Sequence, residues 1–223
     1  MSMLRVHHLD DSRSHRVLWL LEELGIDYEL VLHKRGKDMR APAALSEPHP
    51  LGKAPAVELD GRTYVESGAI VDTLIDRFGE GRFRPEGGED LDRYRFYSHF
   101  AEGSLMPPLL VKLLMFKLET APVPFFLKPV MKGIAGKING AYTDGEIAKN
   151  FGFVNDELAS REWLAGDFGG ADIMMSFPLE AAGNRVDLSR YPNIRAYVDR
   201  FQSRPAYLKA LEKGGAYAYG PKR

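Results

Sequence analysis

The chain contains no cysteine among its 223 residues. Without a protein thiol it can form no disulfide, offer no thiolate to a metal ion and run no Cys-x-x-Cys redox chemistry. Any sulfur chemistry that this protein carries out must therefore use a sulfur atom brought by a ligand.

Long apolar runs and a strong net charge are absent as well. No stretch approaches the roughly 18 apolar residues of a membrane span, and residues 1–8 lack the apolar core of a secretion signal. The 30 Lys and Arg residues nearly balance the 31 Asp and Glu residues, which argues against a general nucleic-acid binder. We expect a cytoplasmic protein with no membrane span and no nucleic-acid partner, long enough for two modest domains.

The most informative stretch covers residues 49–67. Pro55 precedes the β-prone residues 56–59, and a proline at the first position of a strand gives up no ladder hydrogen bond. If the Ala54–Pro55 peptide bond is cis, the backbone N–H and C=O of Ala54 turn outward and can pair with the main chain of a ligand. Residues 60–61, Asp-Gly between two apolar runs, predict a two-residue hairpin.

The same stretch ends at the start of a predicted helix. Glu66 and Ser67 stand before apolar residues with helical spacing, so free backbone N–H groups and the positive end of a helix dipole lie beside Ser67. A carboxylate binds well at such a helix end, and the whole stretch predicts a cradle for a small anionic peptide. In the alternative interpretation, Pro55 starts its strand in trans and Ser67 only caps the helix.

The upstream residues complete a characteristic order of elements. Residues 4–8 predict a strand, residues 10–14 a turn, residues 17–25 a helix closed by Gly25, and residues 26–32 a second strand. The N-terminal part thus runs strand, helix, strand, loop, strand, hairpin, strand, helix. This order, with a proline at the entry to the third strand, resembles the thioredoxin-like half of the cytosolic glutathione S-transferase family.

The resemblance extends over nearly the whole chain, because a linker at residues 82–88 is followed by residues that are predicted to be largely helical. It implies an α/β, thioredoxin-like domain at residues 1–81 that binds glutathione, followed by an all-α helical bundle at residues 89–223 that contributes the site of the second substrate. It further implies a homodimer, with glutathione as co-substrate and no metal.

By this resemblance, specific residues would hold glutathione. The set comprises His49, Lys53, Ala54, Pro55, Glu66 and Ser67. Ser67 would bind the γ-glutamyl carboxylate and Glu66 the ammonium group, while Ala54 would pair through its backbone with the cysteinyl part. Lys53 would meet the glycine carboxylate. His49 would assist, or would only pack its own loop.

Activation of the bound thiol is assigned to Ser12, in the turn before the first helix. Lowering a thiol pKa of about 8.5 by about two units requires roughly 2.7 kcal/mol. One hydrogen bond to the anion supplies about 1.5–3 kcal/mol and the helix end about 0.3–1 kcal/mol, so Ser12 and the helix suffice together. Arg13, Ser14 and the helix end itself remain alternatives. A different alignment with relatives puts Asp11 at the catalytic place, where a carboxylate would repel a thiolate.

The serines also have a purely structural interpretation, in which Ser12 and Ser14 do no more than cap the helix. Another position departs from the family pattern. Relatives often have Ser or Thr at the cap three residues before the aspartate of an Ala-Asp-Ile run, but here that position is Gly169, before Asp172. Glycine is tolerated there at a cost of a few tenths of a kcal/mol.

The second substrate is expected between the two domains, against the first long helix of the helical half. Tyr97, His99 and Phe100 are the candidates to border it. Residues 122–131 combine prolines, aromatics and lysines, and this segment either packs as an interhelical loop, covers an apolar acceptor site or touches a membrane surface.

The sequence therefore predicts a glutathione transferase that directs a glutathione thiolate at an electrophilic, apolar acceptor, with glutathione-dependent peroxidase activity as a further expectation. A glutathione-dependent isomerase or dehalogenase would differ only in its acceptor. The alternative from another class is a non-catalytic binding protein of the same fold, which carries apolar ligands or a protein partner.

Overall fold

A computed structural model describes residues 4–183 and 185–221. Its strands are β1 (Arg5–Leu9), β2 (Glu29–His33), β3 (Ala56–Leu59) and β4 (Arg62–Val65). They form one sheet in the order β2-β1-β3-β4, in which β1 and β2 run parallel while β3 is antiparallel to both of its neighbours. The predicted order of strands and helices is confirmed.

Within the described residues, one helix lies between β1 and β2 in sequence and a second follows β4. The described residues after it form helices and no further strand. The helices are α1 (Ser14–Leu24), α2 (Ser67–Phe78), α3 (Gly88–Phe100), α4 (Met106–Glu119), α5 (Lys128–Ile138), α6 (Asp144–Glu157), α7 (Gly170–Ala182), α8 (Pro192–Gln202) and α9 (Pro205–Gly214). A thioredoxin-like α/β part is thus followed by an all-helical part, as expected. No helix in this described part of the chain is long and apolar enough to cross a membrane.

Helix α1 begins three residues earlier than the sequence pattern indicates. The hydroxyl of Ser14 accepts a hydrogen bond from the Leu9 N–H at 3.0 Å, and Ser12 Oγ accepts one from the Ser14 N–H at 3.2 Å. These polar contacts supply a start that apolar periodicity cannot reveal. The helix ends at Gly25, whose left-handed φ of 70° suits glycine.

Helix α1 holds the two halves of the molecule together. It packs against α2, α7 and α9, and its Trp19 is fully buried between the rings of Phe168 and Phe201. Arg204 adds an ion pair to Glu23 with Nε and Oε1 2.6 Å apart. A helix buried on nearly all sides has little freedom to shift, so its N-terminal end is held in a fixed place between the halves.

Gly169 caps α7, and the structure explains why no serine or threonine stands there. A Cβ atom at Gly169 would lie 2.5 Å from the backbone oxygen of Phe83, which accepts a hydrogen bond from the Gly170 N–H at 2.8 Å. The carboxylate of Asp172 still accepts from the Gly169 N–H at 2.9 Å. Only glycine permits this close approach, so the departure from the family pattern is required by packing.

Candidate active site

A cavity of about 440 Å³ opens where the N-terminal ends of α1 and α2 meet the loop before β3. Five residues expected to bind or activate a ligand line it together with Pro55: Ser12, Lys53, Ala54, Glu66 and Ser67. Elements far apart in the sequence therefore meet around one space. His49 does not line the cavity; its Nδ1 accepts a hydrogen bond from the Leu51 N–H at 3.3 Å, within its own loop.

The start of α2 is a helix end without a side-chain cap. Glu66 stands at the cap position with a φ of 71°, uncommon for a residue with a side chain, and its carboxylate makes no cap hydrogen bond. The first turn of any helix leaves backbone N–H groups without an intrahelical partner. Within the described residues, the N–H groups of Ser67 and Gly68 and the Ser67 hydroxyl have no hydrogen-bond partner. These donors face the cavity together with the positive end of the helix dipole, which makes an anion site.

The loop before β3 adds a second row of polar groups. The Ala54–Pro55 peptide bond is cis. Neither backbone polar group of Ala54 is hydrogen-bonded to any part of the chain that the structure describes, so both remain open to a ligand in the cavity that Ala54 lines. Beside it, the exposed Lys53 forms no ion pair with a described carboxylate, and its charge is available to a second anionic group.

Ser12 lies at the opposite wall, inside a chain of hydroxyl groups. Ser12 Oγ donates to the Leu9 backbone oxygen at 2.8 Å and lies 2.7 Å from Ser14 Oγ. Ser14 Oγ lies 2.9 Å from Nδ1 of His8. Burial lowers the pKa of His8 to about 4, so the ring is neutral at pH 7 and Nδ1 can accept the Ser14 proton. With that proton given to His8, Ser14 has none left for Ser12, so the hydrogen bond between the two hydroxyl groups is donated by Ser12.

Asp11, next in the same turn, is occupied elsewhere. Its Oδ1 accepts a hydrogen bond from the Ala218 N–H at 2.6 Å, which ties the turn before α1 to the C-terminal segment. Its φ of 45° is left-handed, a conformation that Asp tolerates better than most residues. This carboxylate is therefore engaged by the chain's own backbone.

The first turn of α1 is braced by the helical half. Glu102 accepts from Arg13 Nε at 3.0 Å and also forms an ion pair with the buried Arg16. Burial would raise the pKa of Glu102, but the two arginines hold it below its usual value. Arg16 also donates to the Met174 backbone oxygen at 2.8 Å. Both guanidinium groups lie over the ring of Phe177, at 5.1 and 5.4 Å from its centre.

A second cavity of about 800 Å³ adjoins the first and shares Asp11 and Arg35 with it. Its apolar lining comes from five residues: Met39, Leu113, Phe116, Ala218 and Tyr219. Charged residues of α4 line it as well. Arg35 separates the two spaces, since its guanidinium donates to the backbone oxygens of Asp10 and Met39 at 3.2 and 3.0 Å. A molecule in the apolar cavity would lie next to one in the polar cavity.

The three residues of α3 expected to border a second substrate, Tyr97, His99 and Phe100, line neither of the two cavities. Tyr97 is buried, with its hydroxyl 3.2 Å from Glu157, while His99 is exposed. The physical reason is packing against α6, where Tyr97 meets Glu157 and Phe100 meets Phe153. A π-helical turn at Ala101–Leu105 changes the register only after these residues. Glu102 of that turn reaches the polar cavity, and the apolar cavity is bordered by α4.

The comparisons with known proteins agree with this geometry. The model of the glutathione S-transferase N-terminal domain matches residues 6–82. Glutathione S-transferase 1 of Saccharomyces cerevisiae is 34% identical over 225 aligned residues, which cover 96% of this chain and 96% of that protein. The chain belongs to the glutathione S-transferase family.

Two further members of the glutathione S-transferase family extend the match. Glutathione S-transferase 3 of Schizosaccharomyces pombe is 38% identical over 95% of this chain and 88% of its own length. A crystal structure of a glutathione S-transferase from Actinobacillus pleuropneumoniae superposes with a TM-score of 0.81 and 32% identity, covering 97% of this chain and 95% of that one. At family level the protein is therefore a glutathione transferase.

Sequence reasoning missed Glu102, Phe177 and Arg35 as parts of the site. Glu102 lies 89 positions from its partner Arg13, and Phe177 lies in the middle of α7 among buried residues. An acidic residue on an otherwise apolar stripe of the helical half was the one available signal, and it pointed to no partner.

Proposed function

We propose that the protein binds glutathione in the polar cavity, ionises its thiol beside Ser12 and directs the thiolate at an electrophile in the apolar cavity. The observation that carries this proposal is the uncapped start of α2, where Ser67 and Glu66 face the same cavity as Ser12. A helix end with open donors, an open backbone edge and a free lysine together suit a peptide that carries two carboxylates and one ammonium group.

The geometry supports a definite orientation of the peptide. Its γ-glutamyl carboxylate would accept from the Ser67 and Gly68 N–H groups and the Ser67 hydroxyl, and its ammonium group would meet Glu66. The cysteinyl main chain would pair with Ala54 in the manner of an added strand, and the glycine carboxylate would lie near Lys53. Pro55 shapes the loop. His49 is outside the cavity lining, which supports a role in the loop over a contact with the ligand.

Thiol activation follows from the hydroxyl chain at α1. When a thiolate arrives, the Ser12 hydroxyl can turn from its neutral acceptors, the Leu9 backbone oxygen and Ser14 Oγ, to the charged sulfur. A hydrogen bond to a charged group contributes about 1.5–3 kcal/mol, close to the roughly 2.7 kcal/mol that a two-unit shift of the thiol pKa requires. The thiol proton is released to water, the thiolate forms a bond from sulfur to the electrophilic atom, and the leaving group departs with the electron pair of the bond that breaks.

The proposal includes two further points, the kind of acceptor and a peroxidase activity. The apolar lining of the second cavity suits an apolar acceptor. An organic hydroperoxide in the same place would be reduced to an alcohol and water by two glutathione molecules, which leave as glutathione disulfide.

The organisation around the site is also proposed. All strands of the described chain lie before residue 66 and a helical part follows from residue 88, which supports domains at residues 1–81 and 89–223. By family resemblance we propose a homodimer, with α2 and residues 94–110 near the interface, and a location in the cytoplasm. Sedimentation equilibrium would test the dimer directly.

The proposed function is tested by calorimetric titration with glutathione and with the dipeptide Cys-Gly, followed by assays with an aryl chloride and an alkyl hydroperoxide. We expect glutathione to bind at least tenfold more tightly than Cys-Gly and the aryl chloride to be conjugated. Tight binding of apolar dyes without glutathione binding would instead support the non-catalytic alternative.

A further inference from the structure

The helical half carries a set of exposed apolar side chains that the active site does not use. We call the α5 surface the six residues Phe125, Phe126, Leu127, Val130, Ile134 and Ile138. Phe125 is 84% exposed, Phe126 63% and Val130 55%. Exposed apolar residues scattered singly need no explanation, but a continuous set marks an interaction surface.

The α5 surface is continuous because of helical spacing. Val130, Ile134 and Ile138 are four residues apart and share one face of α5. Phe125 and Phe126 precede the helix directly, with ring centres 5.8 Å apart. Helix α5 packs on its neighbour α4, but Ala135 is its sole buried residue, and Val130, Ile134 and Ile138 stay exposed.

The charge around this surface has one sign. The sequence contains no Asp or Glu between Glu119 and Asp144, while three lysines, Lys128, Lys132 and Lys137, fall in that interval. All three are exposed, and none lies within ion-pair distance of a carboxylate of the described residues. The chain as a whole has a net charge of −1, so the positive charge is a local property of the α5 surface.

We propose that the α5 surface docks on an anionic lipid surface. An apolar helix face with leading aromatics and two adjacent lysines suits insertion among headgroups, where the apolar side chains leave water and Lys128 and Lys137 meet anionic lipids. A symmetric contact with a second copy would bring these two lysines close to their counterparts, which argues against self-association through this face. The surface is the outer face of a helix, not a groove that would receive a peptide.

The test is flotation of the full-length protein with two kinds of vesicle. Neutral vesicles contain phosphatidylcholine alone, and in anionic vesicles three lipids in ten are phosphatidylserine. We expect partitioning to the anionic vesicles at least tenfold above that to the neutral ones, with loss of most of this excess in 0.5 M salt. Phe125→Ser with Phe126→Ser should reduce partitioning at least tenfold to both kinds. Lys128→Gln with Lys137→Gln should reduce the preference for anionic vesicles about fivefold per charge.

Matched controls lie on other exposed faces. Leu208→Ser removes an apolar side chain that is 46% exposed on α9, and Lys149→Gln removes an exposed lysine of α6; neither should change partitioning. Absence of binding to both vesicles would overturn the proposal, as would equal loss in the control variants. Light scattering in which only the two Phe→Ser changes dissociate an oligomer would assign the surface to a second copy instead.

Discussion

Helices α1 and α2 both present a serine to the same cavity, but the two hydroxyl groups are in opposite states. Ser12, before α1, has a full set of partners in Leu9 and Ser14. Ser67, at the start of α2, has none in the described residues. Elements of similar sequence and similar dipole therefore serve different tasks.

The difference is one of preorganisation. Open donors at α2 have no acceptor within the described chain to give up when an anion arrives, so they contribute to affinity. At α1 the hydroxyl must leave one acceptor for another, so its net gain is large only for a full negative charge on sulfur. We infer that the start of α2 sets binding of glutathione and that the start of α1 sets the pKa of its thiol.

The largest expected effect on stability concerns Glu102, which pairs with Arg13 and Arg16 at the start of α1. Glu102→Gln would leave the guanidinium of Arg16 buried without a carboxylate, which costs about 3 kcal/mol in similar cases. We expect a corresponding loss in the free energy of unfolding, measured by urea denaturation. Arg95→Gln, which removes an exposed pair with Asp92, is the control and should change stability by less than about 1 kcal/mol. An unchanged midpoint for Glu102→Gln would mean that the brace is not needed.

The open helix end is tested by Ser67→Ala. Loss of one hydrogen bond to a carboxylate should weaken glutathione binding by about 2 kcal/mol, roughly 30-fold, while the helix keeps its backbone donors. Calorimetric titration measures this directly, with Ser189→Ala on the far surface as the matched variant. A dissociation constant within twofold of the wild type would remove Ser67 from the site.

A buried acid beside α1 gives a dependence on pH. Burial raises the pKa of Glu180 to about 7, although hydrogen bonds from Tyr207, Gln202 and Tyr217 oppose the rise, and the Tyr217 ring stacks on His15 of α1. A folded-state pKa above the usual 4.5 means that folding favours the protonated acid, so its contribution to stability is lost as pH rises from 4.5 through 7.

Glu180→Gln removes that titration. The difference in unfolding free energy between variant and wild type should move in favour of the variant by about 1–2 kcal/mol between pH 5 and pH 8. Urea denaturation at both pH values measures the slope, and the contributions of the buried His7, His8 and His15 cancel because both proteins contain them. A difference that stays constant with pH would show that Glu180 does not titrate in this range.

The smallest expected effect concerns Lys53. An exposed charge contributes about 0.2–1 kcal/mol to an ion pair, so Lys53→Ala should weaken glutathione binding up to about fivefold and more at low salt than at high salt. Lys34→Ala is a matched variant at an exposed position that does not line the cavity. Salt-independent weakening would point to packing and not to charge.

Most of the predicted residues that line the cavity come from one short segment, and Ser12, in the turn before α1, is the exception. Ala54, Pro55, Glu66 and Ser67 follow from a proline-entered strand, a tight hairpin and a helix start, which are local features with known geometry. Glu102 depends on a π-helical turn that no periodicity shows, and Tyr97 packs against Glu157 of α6 and lines neither cavity. Tertiary contacts across the two halves leave no local trace in the sequence.

In this interpretation, the start of α2 binds glutathione and the start of α1 sets the pKa of its thiol. The most direct test is the ultraviolet absorbance of the bound glutathione thiolate as a function of pH, measured in wild type, Ser12→Ala and Ser67→Ala. If the start of α1 sets the thiol pKa, Ser12→Ala should raise that pKa by at least about one unit and leave the affinity for glutathione nearly unchanged. Ser67→Ala should weaken binding and leave the thiol pKa where it is. A thiol pKa that follows Ser67, or that ignores Ser12, would contradict the account and assign activation to Arg13, Ser14 or the helix end alone.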